Sequence, residues 1–361
     1  MDRRSFLKTS AIGGAAAAST TLAAPAYAQG NRTLTMVTSV PDGFAIFDDA
    51  ASMAASIITE MTDGALTINK MPAGSLVGAF EVFDAVSSGQ ADLYHSAEYY
   101  FLNQHPAFAF FTSVPFGMTG VEMLSWYYHK GGREQHHELA SLFNLKPFLA
   151  GNTAMQPGGW FNTEINSADD LQGLRFRMPG QGGQVLGVLG ASVQNIPGGE
   201  IYQALASGQI DGAEWIGPFA DERLGFQEVT NIYYTAGFHE PGSALALSMN
   251  LDVWESLTPA QQRVVEVACE ATHANNLGLS WAENGAALAR LQSEGVQVRE
   301  FPDDVWDAFG RGAAQVREEN MADPIYADIA NSYFAAQAET SGWWEIGDGE
   351  YIRQRNRVNA A

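Results

Sequence analysis

The stretch Thr-Leu-Thr-Met-Val-Thr at residues 33–38, with the four segments that follow it, decides the fold of this chain. It alternates and is rich in β-forming residues, which predicts a first strand. Helical spacing follows over Phe47–Thr62. Three further segments then read as strand, helix and strand, at Leu66–Lys70, Phe80–Ser87 and Ala91–His95. This alternation of strands and helices with short connections is typical of an α/β sheet, whose ligands bind outside the carboxyl ends of the strands.

Part of this pattern recurs 119 residues later. Asp84–Asp92 (Asp-Ala-Val-Ser-Ser-Gly-Gln-Ala-Asp) matches Gln203–Asp211 (Gln-Ala-Leu-Ala-Ser-Gly-Gln-Ile-Asp). Each copy predicts a helix, a glycine that ends it and a strand. If the two units are related by approximate symmetry, we expect the clusters after them, His95–Tyr100 and Ala213–Trp215, to face each other across a cleft. The alternative is that such units recur through composition alone.

The composition restricts the class of protein. The 361 residues are enough for about two domains. Lys and Arg number 19 against 41 Asp and Glu, a formal net charge of −22. Such a balance argues against nucleic acid as a partner and against docking on an anionic membrane surface. The single cysteine, Cys269, excludes an intrachain disulfide and any Cys-x-x-Cys metal or redox pair.

Residues 1–28 predict an export signal. Basic residues precede a run of small residues, and Ala-Tyr-Ala at 26–28 fits a cleavage site, so the predicted mature chain starts at Gln29. The string Asp-Arg-Arg-Ser-Phe-Leu-Lys at 2–8 resembles the twin-arginine (Tat) signal, which is an address and not an anchor. The alternative is an ordinary secretory signal with a chance arginine pair. Either signal predicts a periplasmic protein.

The C-terminal third is predicted to be mostly helical. Thr258–Gln261 has the pattern of a capping box with proline at the first helical position, and helical spacing continues to Gln292. The alternative is two helices joined near Asn275. A strand at Val296–Phe301 and further helices follow. The predicted apolar face of the long helix comprises Val264, Val267, Ala268, Ala271, Leu277 and Trp281.

The usual catalytic templates are missing from the sequence. It contains neither a Gly-x-Ser-x-Gly elbow nor a Gly-x4-Gly-Lys-Ser/Thr loop. The glycine-rich stretch Gly180–Gln184 lacks a full dinucleotide fingerprint and is interpreted as a loop. The histidines show no metal-binding spacing, since the adjacent His136 and His137 would point about 100° apart on a helix. These absences favour binding over catalysis.

Two elements in the middle of the chain suggest a binding site. Gln156 is followed by Pro-Gly-Gly-Trp, and glycines beside a tryptophan let the backbone approach a ligand closely. Arg175 and Arg177 alternate with apolar residues on a predicted strand, so they share one face. A guanidinium there can hold a carboxylate through two parallel hydrogen bonds. The alternative for either arginine is a surface salt bridge.

A longer stretch around these arginines resembles the solute receptors of TRAP transporters (the DctP type). It runs over Ile165–Arg177, and the match continues over Gly199–Trp215. The Tat-like start, Gln156-x-Gly-Gly-Trp and Glu214-Trp-Ile-Gly-Pro narrow the resemblance to the branch that binds 2-oxo acids such as pyruvate, or lactate, with a metal cation. The resemblance implies an α/β, two-domain fold like that of periplasmic binding proteins, with a hinge and long C-terminal helices.

The resemblance also implies a role for each matched position. Arg177 would hold the substrate carboxylate. Gln156, Glu214 and the backbone carbonyl of Trp215 would coordinate Na⁺ or Ca²⁺, hard cations that prefer oxygen ligands. A 2-oxo acid could chelate that cation through its carboxylate and keto oxygens. Further substrate-binding positions are implied at Glu240, Tyr99 and Tyr100.

The sequence departs from this branch at two places beside the predicted pocket. His239-Glu240-Pro241 replaces an aromatic-Glu-Gly sequence. After the tyrosine pair, Phe101 is a single aromatic residue where the branch often continues with several. Both changes leave the size of the acid open.

We therefore predict a periplasmic receptor and not an enzyme. Residues 29–152 plus about 240–282 would form domain I, about 153–239 domain II, and about 283–361 C-terminal helices bracing both. The receptor would deliver a small carboxylate to a membrane permease, and a homodimer through a C-terminal helix is left open. Two alternatives stand: a receptor for a larger carboxylate or other polar solute, and an exported enzyme using Glu214 and Arg177 with His95 or His239 as base.

Overall fold

The computed structural model describes residues 31–359, so the predicted export signal at 1–28 lies outside the described residues. Two mixed sheets surrounded by helices make up the described part. The strands are β1 (Arg32–Thr38), β2 (Leu66–Met71), β3 (Leu93–Ser96), β4 (Leu145–Asn152), β5 (Gly159–Phe161), β6 (Arg175–Arg177), β7 (Ser192–Gln194), β8 (Gly212–Ala213), β9 (Ile232–Tyr234), β10 (Ala244–Asn250) and β11 (Gln297–Arg299).

Helices connect and cover these strands. The α-helices are α1 (Phe47–Met61), α2 (Val82–Ser87), α3 (Gly120–His129), α4 (Gly132–Ser141), α5 (Gly180–Val188), α6 (Ile201–Ala206), α7 (Pro218–Leu224), α8 (Leu251–Glu255), α9 (Pro259–Ser293), α10 (Asp303–Asn320), α11 (Pro324–Trp344) and α12 (Glu350–Asn359). Short 3-10 helices lie at Glu98–Phe101, Pro106–Phe111, Ala168–Leu171, Gly198–Glu200 and Phe226–Glu228. Within residues 31–359, no helix has the length and apolar character needed to cross a membrane.

The first sheet has the order β2-β1-β3-β10-β4. β1 pairs in parallel with β2 and β3, while β10 runs antiparallel to β3 and β4. The predicted strand–helix–strand rhythm is confirmed, with small shifts: α2 begins at Val82 and not Phe80, and β3 begins at Leu93 and not Ala91. The carboxyl ends of β1 and β3 lie at one edge of this sheet.

The second sheet has the order β11-β9-β5-β8-β6-β7. The chain leaves the first sheet after β4, forms β5 to β9, and returns to the first sheet at β10. β11 then adds to the edge of the second sheet, in parallel with β9. The mixed α/β class with two sheets and long C-terminal helices is as predicted, while the limits of the two domains stay a prediction.

The two similar segments, Asp84–Asp92 and Gln203–Asp211, form the same helix–glycine–strand unit. α2 is followed by Gly89 and β3, and α6 is followed by Gly208 and β8. The two glycines have φ values of 79° and 69°, a left-handed conformation that favours glycine after a helix. β3 lies in the first sheet and β8 in the second, so the residues that follow the two strands come from different sheets.

The long C-terminal helix α9 is one helix of 35 residues and not two. Thr258 accepts a hydrogen bond from the Gln261 backbone, which confirms the capping box. α9 packs against α1 and β4 on the side of the first sheet and against α7, which follows β8. It therefore connects the parts of the chain that carry the two sheets.

The apolar face predicted for α9 was wrong. Of its six members only Ala268 is fully buried, and Trp281 is 72% exposed. The buried face instead includes polar residues such as Asn276, whose side chain bonds the Ile46 carbonyl and the Asn152 amide. Asn276 thus satisfies one backbone group next to α1 and one at the end of β4, a role for a buried residue that hydrophobicity alone does not predict.

The loop predicted at Gly180–Gln184 was also wrong, because this stretch is the first turn of α5. Its glycines are there for close packing. A Cβ on Gly183 would lie 2.2 Å from the Met178 carbonyl oxygen, and one on Gly182 would lie 2.6 Å from the His239 Cβ. The sequence pattern of a flexible turn therefore encodes a helix end packed tightly against its neighbours.

Candidate functional site

Arg177 lies at the end of β6 and is fully buried. Its Nε donates to the Ile196 carbonyl at 3.0 Å, and its Nη1 donates to the Glu214 carbonyl at 2.9 Å and to the Glu214 carboxylate. Its Nη2 has no hydrogen-bond partner among the described residues. The guanidinium is therefore fixed on one edge and leaves a donor free on the other.

Arg175, two residues earlier on the same strand, lies outside this site. Its side chain is 46% exposed and pairs with Asp211 through both carboxylate oxygens. The predicted surface salt bridge therefore describes Arg175, while Arg177 is enclosed. β6 runs from the protein surface inward, so equivalent positions on one face meet different surroundings.

Glu214 directly follows β8 and is fully buried. Its Oε1 accepts from Arg177, and its Oε2 has no hydrogen-bond partner within residues 31–359. Burial raises the pKa of this carboxyl to about 7, although the Arg177 guanidinium acts in the opposite direction. The site thus holds a carboxylate oxygen that lacks a partner at neutral pH.

Gln156 and Glu240 meet where the chain crosses between the two sheets. The Gln156 backbone N–H donates to the Glu240 carbonyl at 3.0 Å, and its side-chain Nε2 donates to Glu240 Oε2 at 2.5 Å and to Thr153 Oγ1 at 3.0 Å. Because the amide nitrogen is held in this way, Oε1 of Gln156 is left buried without a partner in the described part of the chain. Burial raises the pKa of Glu240 to about 7, and Ser243 donates to the same carboxylate.

His239 completes the cluster, although it was predicted in the pocket wall, or as the base of an enzyme, and not among the metal ligands. The ring is buried, and neither nitrogen has a hydrogen-bond partner among residues 31–359. Burial lowers its pKa to about 4, so the imidazole is neutral at pH 7. Glu214, His239 and Glu240 each offer one donor atom, all within 4.8 Å of one another. A histidine next to a matched glutamate was the sequence signal that could have identified it.

Tyr99 and Tyr100 lie on the 3-10 helix that follows β3 and are nearly fully buried. Burial raises the pKa of Tyr100 to about 12 and raises the pKa of Tyr99 well above its ordinary value, so both hydroxyls keep their protons at neutral pH. The charges of Arg177, Glu214 and Glu240 all act on the two hydroxyls, which places the pair beside the cluster. The two rings also line an open cleft of about 540 Å³.

Trp215 links the cluster to the first sheet. Its ring stacks on Phe47 at 5.9 Å and meets Phe44 edge-on at 6.0 Å. The Arg177 guanidinium lies over the same ring, 5.4 Å from its centre. The loop that follows is held by buried Asp221, which accepts from the Ile216 and Gly217 amides and which the sequence analysis did not identify.

The structure thus brings all the predicted site residues into one buried cluster at the junction of the two sheets. They are Gln156, Arg177, Glu214, Trp215, Glu240, Tyr99 and Tyr100. The unpartnered atoms fit a cation and an acid, because carboxylate and amide oxygens are ligands for hard cations and a free guanidinium N–H is a donor for a carboxylate. The role of each residue in binding stays a prediction.

Known proteins resemble this chain over most of its length. The family model described as "Bacterial extracellular solute-binding protein, family 7" matches residues 36–323. A monocarboxylate 2-oxoacid-binding periplasmic protein of Nostoc sp. is 36% identical over 357 residues, covering 97% of this chain and 98% of the relative.

Solved structures resemble the chain over most of its length. A TRAP transporter solute-binding protein from Bordetella bronchiseptica, described as a mixed-occupancy dimer with calcium and picolinate, gives a TM-score of 0.90 at 33% identity, over 92% of this chain and 99% of that one. A TRAP periplasmic solute-binding protein from Pseudoalteromonas atlantica with bound sodium and pyruvate gives a TM-score of 0.87 at 37% identity, over 90% of this chain and 99% of that one.

Proposed function

The chain belongs to family 7 of the bacterial extracellular solute-binding proteins, the receptors of TRAP transporters, and we propose that it captures a small monocarboxylate together with a metal cation. The acid would be a 2-oxo acid such as pyruvate, or lactate, and the receptor would deliver it to the membrane permease. The observation that carries this proposal is the set of buried, unpartnered atoms on Arg177, Glu214 and Gln156. Buried polar atoms without partners are rare in folded proteins, so a cluster of them indicates a ligand.

The free Nη2 of Arg177 would donate to the ligand carboxylate. Its other nitrogens are already held by Ile196 and Glu214, so the side chain needs no rearrangement to bind. Preorganisation of this kind strengthens binding, because little side-chain entropy is lost.

The cation would be held by Gln156 Oε1, Glu214 Oε2 and the Trp215 backbone carbonyl. No hydrogen bond to that carbonyl is found within residues 31–359. A bound cation supplies positive charge next to two buried glutamates and the acid, and buried charges are tolerated only when they are balanced. The acid and the cation would therefore bind more tightly together than separately.

A thermal-shift titration of chelator-treated mature protein tests the proposal. The panel holds pyruvate, 2-oxobutyrate, lactate, succinate and glutamate, each with Na⁺, with Ca²⁺ or with neither. A ligand at 100 times its dissociation constant adds about 2.7 kcal/mol of stability. Stabilisation by monocarboxylate plus cation supports the full proposal, while stabilisation by the acid alone removes the cation from it. No shift with any acid rejects the proposed ligand class.

The larger-carboxylate alternative is favoured by one observation. The cleft beside Tyr99 and Tyr100 is also lined by Phe80, Leu102 and Val193, and it could receive a longer side chain if the tyrosines moved. Adding 2-oxo acids with apolar chains of four to six carbons to the panel distinguishes the two ligands. A larger shift with the longer acids than with pyruvate would favour the alternative.

We also propose that the protein binds its acid without transforming it. Burial lowers the pKa of both candidate bases, His95 and His239, to about 4, so each is a weak base at neutral pH. Incubation of each acid with the protein, followed by chromatography, checks this, and recovery of a converted product would contradict it.

Two further proposals concern export and assembly. Replacement of Arg3 and Arg4 by lysine should abolish export if the signal is of the Tat type, as measured by periplasmic fractionation.

For assembly, Trp343 and Ile346 are 71% and 70% exposed at the end of α11 and just after it, which supports a homodimer through this end of the chain. Light scattering of the full mature protein gives the mass, and a monomer at high concentration would contradict the dimer.

A further inference from the structure

We propose that His239 is a ligand of the bound cation and gives the site a preference for divalent cations of borderline softness, such as Zn²⁺ or Co²⁺, over Na⁺ and Ca²⁺. The inference rests on the proposed function and deepens it, because it names the class of cation. The sequence resemblance implied oxygen ligands only.

The position of the His239 ring is the first argument. Its Nε2 lies 3.5 Å from Glu214 Oε2, where it makes no hydrogen bond, and both atoms are otherwise unpartnered in the described chain. Two ligands that each lie about 2.1 Å from one cation are about 3–3.5 Å apart. The spacing is therefore that of two atoms flanking a shared cation, with Glu240 offering a third donor within 4.8 Å.

The ring is also fixed in this orientation by its neighbours. A Cβ on Gly237 would lie 2.4 Å from the His239 Cε1, and a Cβ on Gly182 would lie 2.6 Å from its Cβ. Only glycine leaves room for the imidazole at these two places. The histidine backbone carbonyl additionally accepts from Ser113 Oγ at 3.3 Å. A donor held this firmly supports metal binding, because a ligand that need not be ordered costs less entropy on binding.

The chemistry of the donor set gives the preference. Imidazole nitrogen suits Zn²⁺, Co²⁺ and related cations, whereas Na⁺ and Ca²⁺ take oxygen ligands. Charge disfavours Na⁺ only, because Ca²⁺ carries the same charge as Zn²⁺ and Co²⁺. Glu214, Glu240 and the acid together carry three negative charges when ionised, Arg177 carries one positive charge, and a divalent cation balances the rest. A monovalent cation would leave a buried negative charge, which is unfavourable.

Metal titration of the chelator-treated mature protein tests the inference. Calorimetry measures the affinity for Na⁺, Ca²⁺, Co²⁺ and Zn²⁺, each with and without pyruvate. The key variant is His239→Gln, which replaces the nitrogen donor by an oxygen donor of similar reach. The matched control is His129→Gln, an exposed histidine at the end of α3.

We expect wild type to bind Zn²⁺ and Co²⁺ more tightly than Ca²⁺, with Na⁺ weakest. His239→Gln should lose about 10- to 100-fold in Zn²⁺ and Co²⁺ affinity, the usual range for a perturbed metal site. Its Ca²⁺ affinity should stay within about threefold or rise, because Ca²⁺ prefers oxygen. The control should behave as wild type for all four cations.

The deciding quantity is the loss of Zn²⁺ affinity relative to Ca²⁺ affinity in His239→Gln. The wild-type order alone does not decide, because Zn²⁺ also binds more tightly than Ca²⁺ at many all-oxygen sites. An equal Zn²⁺-to-Ca²⁺ ratio in wild type and His239→Gln would overturn the assignment, as would a wild type that binds Ca²⁺ more tightly than Zn²⁺ and Co²⁺. If pyruvate with Ca²⁺ still stabilises the protein, the proposed function survives either result. The titrations without acid test His239 even if no acid binds.

A spectroscopic measurement on wild type covers the case in which His239→Gln fails to fold. Co²⁺ shifts the ring protons of a coordinated imidazole far outside the normal proton NMR range. His239 is the one histidine of the candidate metal cluster in residues 31–359, so such a resonance reports on it directly. Its appearance on addition of Co²⁺ supports ligation, and its absence from a Co²⁺-loaded sample overturns it.

Discussion

Replacement of Arg177 by lysine should weaken acid binding strongly although the charge is kept. The guanidinium makes bonds to the Ile196 carbonyl and to Glu214 with Nε and Nη1 and still has Nη2 free. A lysine ammonium is a single point and cannot serve both carbonyls, Glu214 and the ligand at once. A hydrogen bond to a charged group contributes about 1.5–3 kcal/mol. Its loss lowers the affinity for the acid about 10- to 150-fold.

The same variant should also be less stable, because the buried Ile196 carbonyl loses its donor. An unsatisfied buried acceptor costs about 1–3 kcal/mol. Arg175→Lys is the matched control, since that side chain lies two residues away on β6 but is exposed and paired with Asp211. Calorimetry with pyruvate and cation gives the affinities, and thermal unfolding gives the stabilities. Near-wild-type affinity in Arg177→Lys, or a larger loss in Arg175→Lys, would refute the assignment of the carboxylate contact.

Two further predictions follow from the buried carboxyls and from the packing of α5. Burial raises the pKa of both Glu214 and Glu240 to about 7, so each is partly protonated at pH 7; cation binding should release protons there and weaken as the pH falls from 8 to 6. Calorimetry in buffers of different ionisation enthalpy measures the release, and proton uptake would contradict the sign. Gly182→Ala should destabilise the protein by about 1–3 kcal/mol and weaken cation binding, because its Cβ would meet His239 at 2.6 Å. Gly187→Ala on the same helix, where a Cβ meets nothing within 4 Å, should be neutral or stabilising by up to about 1 kcal/mol, and equal effects in thermal unfolding would contradict this account.

The order of strands and helices in the first sheet could be predicted from the sequence because local patterns encode it. β1 and α1 each bury one face, so hydrophobic alternation and helical spacing mark them directly, while β2 buries only Leu66 and is marked by its β-forming residues. The capping box at Thr258 is equally local, since the cap and its partner are three residues apart. The face of α9 could not be predicted in this way, because Asn276 is buried to satisfy backbone groups far away in the chain.

The site was predicted from the local sequence motifs around its residues and not from its three-dimensional geometry. Arg177 and Glu214 lie in stretches with recognisable neighbours, and the structure brings them together as adjacent strand ends of one sheet. His239 has no such motif. Its role depends on where the 235–240 segment lies against Gln156 and on the glycine at 182 that leaves room for its ring. Long-range packing of this kind leaves little trace in one sequence.

The position of the site explains how binding can control the two sheets. Arg177 and Glu214 lie at strand ends of the second sheet, while Gln156 and Glu240 lie in two of the segments that cross between the sheets. A ligand bound at this point would contact these crossing segments. Small changes there are expected to alter the angle between the sheets, because hinge motion is absorbed by a few residues at the ends of such elements.

The cost of burying polar atoms without partners indicates which arrangement of the two sheets a ligand would favour. Arg177 Nη2, Gln156 Oε1, Glu214 Oε2 and the ring nitrogens of His239 are all buried without partners in the described chain. Each such group costs about 1–3 kcal/mol, so several together disfavour the enclosed arrangement until a ligand satisfies them. About 5.5 kcal/mol of differential binding changes a two-state ratio from 1:99 to 99:1. If an acid and its cation satisfied these atoms, the difference would be of that size and would favour the arrangement of the two sheets that encloses the ligand.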